Sequence, residues 1–196
     1  MRDIVKLGAI LMVITVISAA TLAGVYSVTR PKIEEQKRLA LERALTIALP
    51  TADPRYILPV RENDAVLYYK GFSSEDTSHA VGYAFVSYGP GYSSVIETMV
   101  GVDTLGAIIG MKVLAQVETP GLGTKVEEVK YGETDPWFTR QFLTRRADNL
   151  AVDKDGGDID SITGATISSR AVTNSVVDGY RQFNKNLELL DKSQNN

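Results

Sequence analysis

The chain begins with a long uncharged segment. Residues 7–29 form 23 consecutive positions without a charged side chain, and most of them are apolar. As a helix rising about 1.5 Å per residue, this segment spans about 34 Å, enough for a hydrocarbon core about 30 Å thick. A cleaved signal peptide is the alternative, with residues 2–6 as its basic start and residues 18–20 as its small-residue site. The apolar pattern continues beyond that site, which favours a retained transmembrane anchor over residues 1–30.

A helical pattern follows this segment. After Pro31, apolar residues from Ile33 to Leu49 recur mostly at four-residue spacing with charged residues between them, and Pro50 ends the pattern. The sequence therefore predicts a connecting helix over residues 31–50.

Beyond Pro50 the pattern changes to short apolar runs bounded by turn residues. Four runs have strand character: residues 65–69, 80–88, 94–102 and 105–117. The turns between the last three runs are too short for helical crossovers, so neighbouring strands are expected to be antiparallel.

The last third of the chain alternates loops and helices. A loop at residues 118–124 precedes a predicted short helix at 136–143, and a polar, turn-rich stretch covers 153–160. The final helix has apolar positions from Ile167 to Leu187, mostly three or four residues apart. The prediction is one α+β domain over residues 51–196, an antiparallel sheet with helices packed on it.

Composition removes several classes of function. The 44% hydrophobic and 23% charged residues are typical of a globular domain, and zero Cys excludes disulfides, thiolate zinc sites and cysteine-ligated iron–sulfur clusters. A net charge of −3 argues against a nucleic-acid partner. His79 is the only histidine, which argues against His-based metal sites and Ser/His/Asp catalysis. We therefore predict no metal site and no catalytic residue.

The candidate chemistry lies directly before the final helix, in the stretch Asp160-Ser161-Ile162-Thr163-Gly164-Ala165-Thr166. Gly164 and Ala165 are small, so a phosphate can approach backbone amides that open a helix, where the dipole favours an anion. Thr166 would place a hydroxyl against that anion. Arg170, one helical turn later, would pair with a phosphate oxygen.

Two other interpretations of this stretch stay open from the residues alone. Ser, Thr and Asp before an apolar helix are also what an ordinary N-terminal cap looks like. A calcium loop starting at Asp153 fits poorly, because Gly157 stands where a fifth-position ligand belongs and Gly164 where the twelfth-position glutamate belongs.

The same stretch resembles the flavinylation motif Asp-x-x-Ser/Thr-Gly-Ala-Thr of the FMN-binding domain family. That family is shared by the G subunit of Rnf electron-transport complexes and the C subunit of sodium-translocating NADH:quinone oxidoreductases. The resemblance implies that Thr166 carries FMN through a phosphoester bond, installed by a flavin transferase that uses FAD. Thr163 preserves the hydroxyl of the more frequent Ser. The flanking segments 155–157 and 170–172 resemble the Rnf protein more than the quinone-reductase protein.

A second stretch, residues 118–123, resembles the Glu-Thr-Pro-Gly-Leu-Gly loop of the same family. Its glycines would let the backbone approach a flat ring, although Pro-Gly after a strand is also a common turn. Tyr92 lies in another segment similar to the family and would stack on the ring, the alternative being simple packing at a strand edge. The cofactor-binding residues implied by this loop are Glu118, Thr119, Gly121, Leu122 and Gly123.

The resemblance implies an electron-carrier subunit without independent catalysis. No complete Gly-x-Gly-x-x-Gly is present, so direct binding of NADH is not supported. Electrons are therefore expected to come from and go to partner subunits, which the family implies carry iron–sulfur or flavin centres. The family couples ferredoxin:NAD+ chemistry to sodium or proton translocation.

The very short segment before residue 7 favours a cytoplasmic N-terminus and an extracytoplasmic domain. The alternatives are the C subunit of the quinone reductase and a membrane-anchored module without cofactor, in which Thr166 caps a helix.

Overall fold

The computed structural model describes residues 2–194, and the chain divides into two compact units, Met1–Ala40 and Leu41–Asn196. Helix α1 runs without interruption from Arg2 to Ala48 and contains Pro31. Within the described residues, α1 is the one helix that is both long enough and apolar enough to cross a membrane, judged by its length and composition. The predicted anchor and connecting helix are therefore parts of one continuous helix.

The second unit is built on a five-stranded sheet with the simple order β1-β2-β3-β4-β5. All four strand pairs are antiparallel, as the short turns predict. The strands are β1 Ile57–Glu62, β2 Ala65–Gly71, β3 Gly82–Pro90, β4 Val95–Val102 and β5 Ile108–Ala115. The sequence pattern does not predict β1, because Pro54 and Pro59 break it. An edge strand tolerates proline, since one side of it needs no ladder hydrogen bonds.

Two α-helices follow the sheet. The helix predicted at 136–143 is only the single turn α2, Trp137–Arg140. It gives way to tighter turns, in which the amides of Phe142 and Leu143 bond carbonyls three residues back. Helix α3 covers Thr166–Gln194, and short 3₁₀ segments occupy Pro54–Tyr56, Gly123–Glu127 and Asp153–Asp155.

Each face of the sheet buries its own core. α3 packs on one face, where Phe183 stacks on Phe85 with ring centroids 5.5 Å apart. The end of α1 packs on the other face, where Ala48 and Leu49 are fully buried beside Met99. Alternation along β4 explains the division, because Val100 and Val102 point to the α3 side while Met99 points to the α1 side.

Glycines let the end of α1 lie against the sheet backbone. A Cβ atom added to Gly101 would overlap the carbonyl oxygen of Ala48, and one added to Gly110 would overlap that of Ile47. The last turns of α1 therefore belong to the folded domain, which begins as a compact unit at Leu41.

We expect Gly101→Ala to lower the free energy of unfolding by about 3 kcal/mol or more, because the new methyl group meets backbone that cannot rotate away. Gly132→Ala is the matched control: its φ of 84° is strained for alanine, but nothing lies within 4 Å of the added Cβ. That control should lose about 1–2 kcal/mol. Urea unfolding of the full chain in detergent measures both, and equal losses would contradict the packing of α1 on the sheet.

Candidate functional site

The two motif segments line one cleft of about 660 Å³. One wall comes from the loop after β3 and from the segment after β5, and the other is the start of α3. The residues that line it are Tyr92, Glu118, Thr119, Leu122, Gly123, Gly164, Ala165, Thr166, Ile167 and Ser168. The structure thus brings together most of the site residues proposed from the sequence.

A buried serine fixes the turn that leads into α3. The Ser169 hydroxyl accepts the amide of Ile162 at 2.9 Å and donates to the carbonyl of Ala165 at 3.0 Å. Gly164 has a φ of 78°, a left-handed conformation that glycine adopts without strain. These constraints place Thr166 as the first residue of the helix, facing the cleft.

The start of α3 has no side-chain cap. Ala165 precedes the helix and its methyl group accepts no hydrogen bond, and the first-turn amides of any helix lack intrahelical partners. Among the described residues, no group forms a hydrogen bond with the Thr166 hydroxyl, and this side chain is half-buried. The cap interpretation of Thr166 is therefore not realised in this structure.

Among the described residues, Glu118 is the one charged side chain that lines the cleft, and its carboxylate is fully engaged. It accepts the amides of Tyr92, Ser93 and Ser94 at 2.9–3.0 Å and the Ser168 hydroxyl at 2.6 Å. The side chain is only 4% exposed. The family resemblance implies that Glu118 binds the cofactor, and this stays a prediction; in this structure its oxygens accept hydrogen bonds from protein groups.

The hydrogen bonds decide the pKa of Glu118. Burial is the largest single influence and raises it, but the bonds from Ser168 and the backbone amides of residues 92–94 together lower the pKa below its ordinary value. Glu118 is therefore a carboxylate at neutral pH, a fixed negative charge surrounded by neutral donors.

Apolar side chains supply the open surface of the cleft. Tyr92 is 72% exposed, Ile167 is 50% exposed and Leu122 is 43% exposed. The helical spacing predicts Ile167 on the apolar face of the helix, but it faces the cleft instead. The sequence does not single out Ser168, because nothing in the helical period marks it as a partner of Glu118.

Three of the proposed residues lie outside the cleft lining. Thr163 is exposed, and Gly121 adopts a φ of 77° with nothing within 4 Å of its Cβ position. Arg170 donates two hydrogen bonds to Asp155, at 2.6 and 2.7 Å. Both side chains are about 40% exposed, so water screens this pair and it holds the guanidinium only weakly.

The acidic stretch before α3 stabilises its own turn. Asp153 accepts the amide of Ser161 at 3.0 Å, and hydrogen bonding to Ser161 is the main cause that lowers the pKa of Asp153 to about 2. Within residues 2–194, no group of three or more His, Cys, Asp or Glu side chains is arranged to hold a metal ion.

Comparison with known proteins matches both parts of the chain. The family model described as FMN-binding domain matches residues 91–181, which contain every residue lining the cleft, and the model described as RnfG N-terminal region matches residues 1–46. The G subunit of the ion-translocating oxidoreductase complex of Shewanella amazonensis is 31% identical over 89% of this chain and 86% of that protein. The chain belongs to this family of G subunits.

A second relative agrees with this assignment. The G subunit of the ion-translocating oxidoreductase complex from Methanosarcina acetivorans is 32% identical over 89% of this chain and 92% of its own length. A crystal structure of Shewanella oneidensis NqrC matches at 22% identity and a TM-score of 0.45, over 72% of this chain and 74% of that one. The resemblance to the Rnf protein and the predicted α+β fold are confirmed. This homologue of the Rnf G subunit is a membrane electron-transfer protein with an FMN-binding domain.

Because the pKa of Glu118 is lowered on folding, its contribution to stability is present above the unfolded value of about 4.3 and is lost as the pH falls through the folded value. We expect the amide signals of Ser93 and Ser94 to stay constant from pH 7 to about 5 and to shift with a midpoint below about 4.3. Nuclear magnetic resonance of the amides measures this. Glu118→Gln should abolish the transition, and a midpoint above the ordinary value would contradict the hydrogen bonds described here.

Proposed function

We propose that this protein carries FMN covalently, through a phosphoester between the cofactor's phosphate and the hydroxyl of Thr166. The observation that carries the proposal is a difference in hydrogen bonding between the hydroxyls that line the cleft. Ser168 donates its hydroxyl to Glu118, whereas Thr166 lines the cleft and its hydroxyl has no hydrogen-bond partner among the described residues. Thr119 also lines the cleft, but it is exposed and does not stand at the start of α3.

The start of α3 suits a phosphate. A helix of 29 residues begins at Thr166, and its dipole places about half a positive charge at the first-turn amides. No Lys or Arg is among the described residues that line the cleft. We therefore assign the phosphate to the helix start, and a contact with Arg170 stays a prediction because its guanidinium holds Asp155.

The cleft also suits a flat ring system. Its volume of about 660 Å³ lies within the range of about 300–1,000 Å³ found for small-molecule sites. The exposed side chains of Tyr92, Leu122 and Ile167 offer apolar surface to such a ring. When bound, FMN supplies the electron-transfer chemistry, while these residues orient it and limit its contact with water.

The family resemblance supports a proposed route of maturation and a proposed cellular role. A flavin transferase would transfer FMN from FAD to Thr166, so that the hydroxyl loses its proton, the phosphoester forms and AMP leaves. The donor and acceptor of electrons are other subunits of an Rnf-type complex that couples ferredoxin:NAD+ oxidoreduction to sodium or proton translocation. We place α1 across the cell membrane once, with the FMN-binding domain on the extracytoplasmic side.

Co-expression of the full chain with a flavin transferase tests the attachment. We expect the peptide that contains Thr166 to gain the mass of one FMN less one water, and Thr166→Ala to abolish the gain. Thr119→Ala is the matched control, since it removes another hydroxyl that lines the cleft and should keep full attachment. Thr163→Ala should reduce attachment less than Thr166→Ala does. Peptide mass spectrometry measures all four proteins.

Two results would contradict the proposal. Retention of the added mass in Thr166→Ala would place the cofactor elsewhere. An unmodified Thr166 peptide, obtained from wild-type protein made with an active transferase, would favour the module without cofactor.

A further inference from the structure

The Glu118 carboxylate joins the two walls of the cleft. Oε1 accepts the amides of Ser93 and Ser94 at 2.9 and 3.0 Å. Oε2 accepts the amide of Tyr92 at 3.0 Å and the hydroxyl of Ser168 at 2.6 Å. The first three donors belong to the loop after β3, and Ser168 belongs to α3.

The backbone is shaped around this carboxylate. A Cβ atom at Gly91 would lie 2.6 Å from Oε1, and one at Gly123 would lie 2.6 Å from both Oε2 and the Ser168 hydroxyl. The Ser94 hydroxyl accepts the amide of Val117, the residue before Glu118, at 2.8 Å. Glu118 therefore occupies a tight niche between two glycines.

The niche holds a charge without a counter-ion. Every donor to Glu118 among the described residues is a neutral amide or hydroxyl, and no ion pair of Glu118 exists among them. Neutral donors stabilise a carboxylate but do not cancel its charge, and a charge beside a partly buried cleft acts strongly on whatever the cleft holds.

We propose that Glu118 is the positioning residue of the cofactor cleft, which fixes Tyr92 opposite the start of α3 and through its negative charge opposes reduction of the bound flavin. This inference rests on the proposed function for its second part. Uptake of two electrons from a partner subunit and one proton from solvent adds one negative charge to the flavin, and a fixed carboxylate nearby makes that change less favourable.

The positioning role is tested in the full chain made without flavin transferase. Hydrogen exchange of the backbone amides reports on the loop directly. In Glu118→Ala the amides of residues 92–94 should exchange at least tenfold faster. In Glu118→Gln the amide oxygen can still accept from Ser93 and Ser94, so only the Tyr92 amide should lose protection. Glu62→Gln on β1 removes the same charge at the far edge of the sheet and should change nothing.

The charge role is tested in the flavin-loaded chain. Each variant is equilibrated with a reference dye of known potential, and the ratio of reduced to oxidised flavin is read from the absorption spectrum. We expect this ratio to rise at least tenfold in Glu118→Gln, which corresponds to about 30 mV for a two-electron couple. Glu62→Gln should match the wild type, since Glu62 is exposed on the edge strand and does not line the cleft.

Each test has an outcome that overturns its part. Unchanged exchange of residues 92–94 in both Glu118 variants would remove the positioning role. A ratio within twofold of the wild type in Glu118→Gln would remove the charge role. The exchange test needs no cofactor, so it stands even if the Thr166 peptide proves unmodified, which would instead overturn the proposed function.

Discussion

Helix α3 buries its apolar side against the sheet, while Thr166 and Ile167 in its first turn stay open to the cleft. The rest of the site depends on that arrangement. Phe183 lies among Tyr68, Tyr83 and Phe85, so the middle of the helix is held by aromatic contacts. Close packing fixes its position along the strands, because a Cβ at Gly89 would overlap the carbonyl of Ala171. The start of α3 therefore reaches the end of the sheet where β3 and β5 finish.

The sequence predicts the elements well where local rules decide them. Short turns fix antiparallel pairing, and the helical period predicts α3. β1 escapes prediction because the role of Pro59 depends on its strand being at an edge, which only the assembled sheet reveals. The extent of α2 escapes for a similar reason, since tight turns end it at Arg140 although no proline or glycine follows directly.

Within the site, motifs predict which segments meet but not what each side chain binds. The motifs place both Glu118 and Arg170 in contact with the cofactor, whereas both bind protein groups in this structure. The partner of Arg170 is Asp155, 15 residues earlier in a turn-rich stretch whose path no periodicity describes. Ser168 and Ile167 belong to the site because the start of α3 lies beside the segment after β5, which no local pattern predicts.

The composition of the cleft bears on why a covalent bond would be useful. Tight reversible binding of a phosphate usually draws on Lys or Arg, and the described lining of the cleft contains neither, while its one charged residue is a carboxylate. Repulsion from Glu118 would weaken binding of a free anionic cofactor further. An ester bond to Thr166 would remove this difficulty, because a tethered group faces its site at an effective concentration in the millimolar range or above without any new contact. With such a tether, the start of α3 needs only to orient the phosphate. The negative charge of Glu118 then costs no affinity and can influence electron transfer.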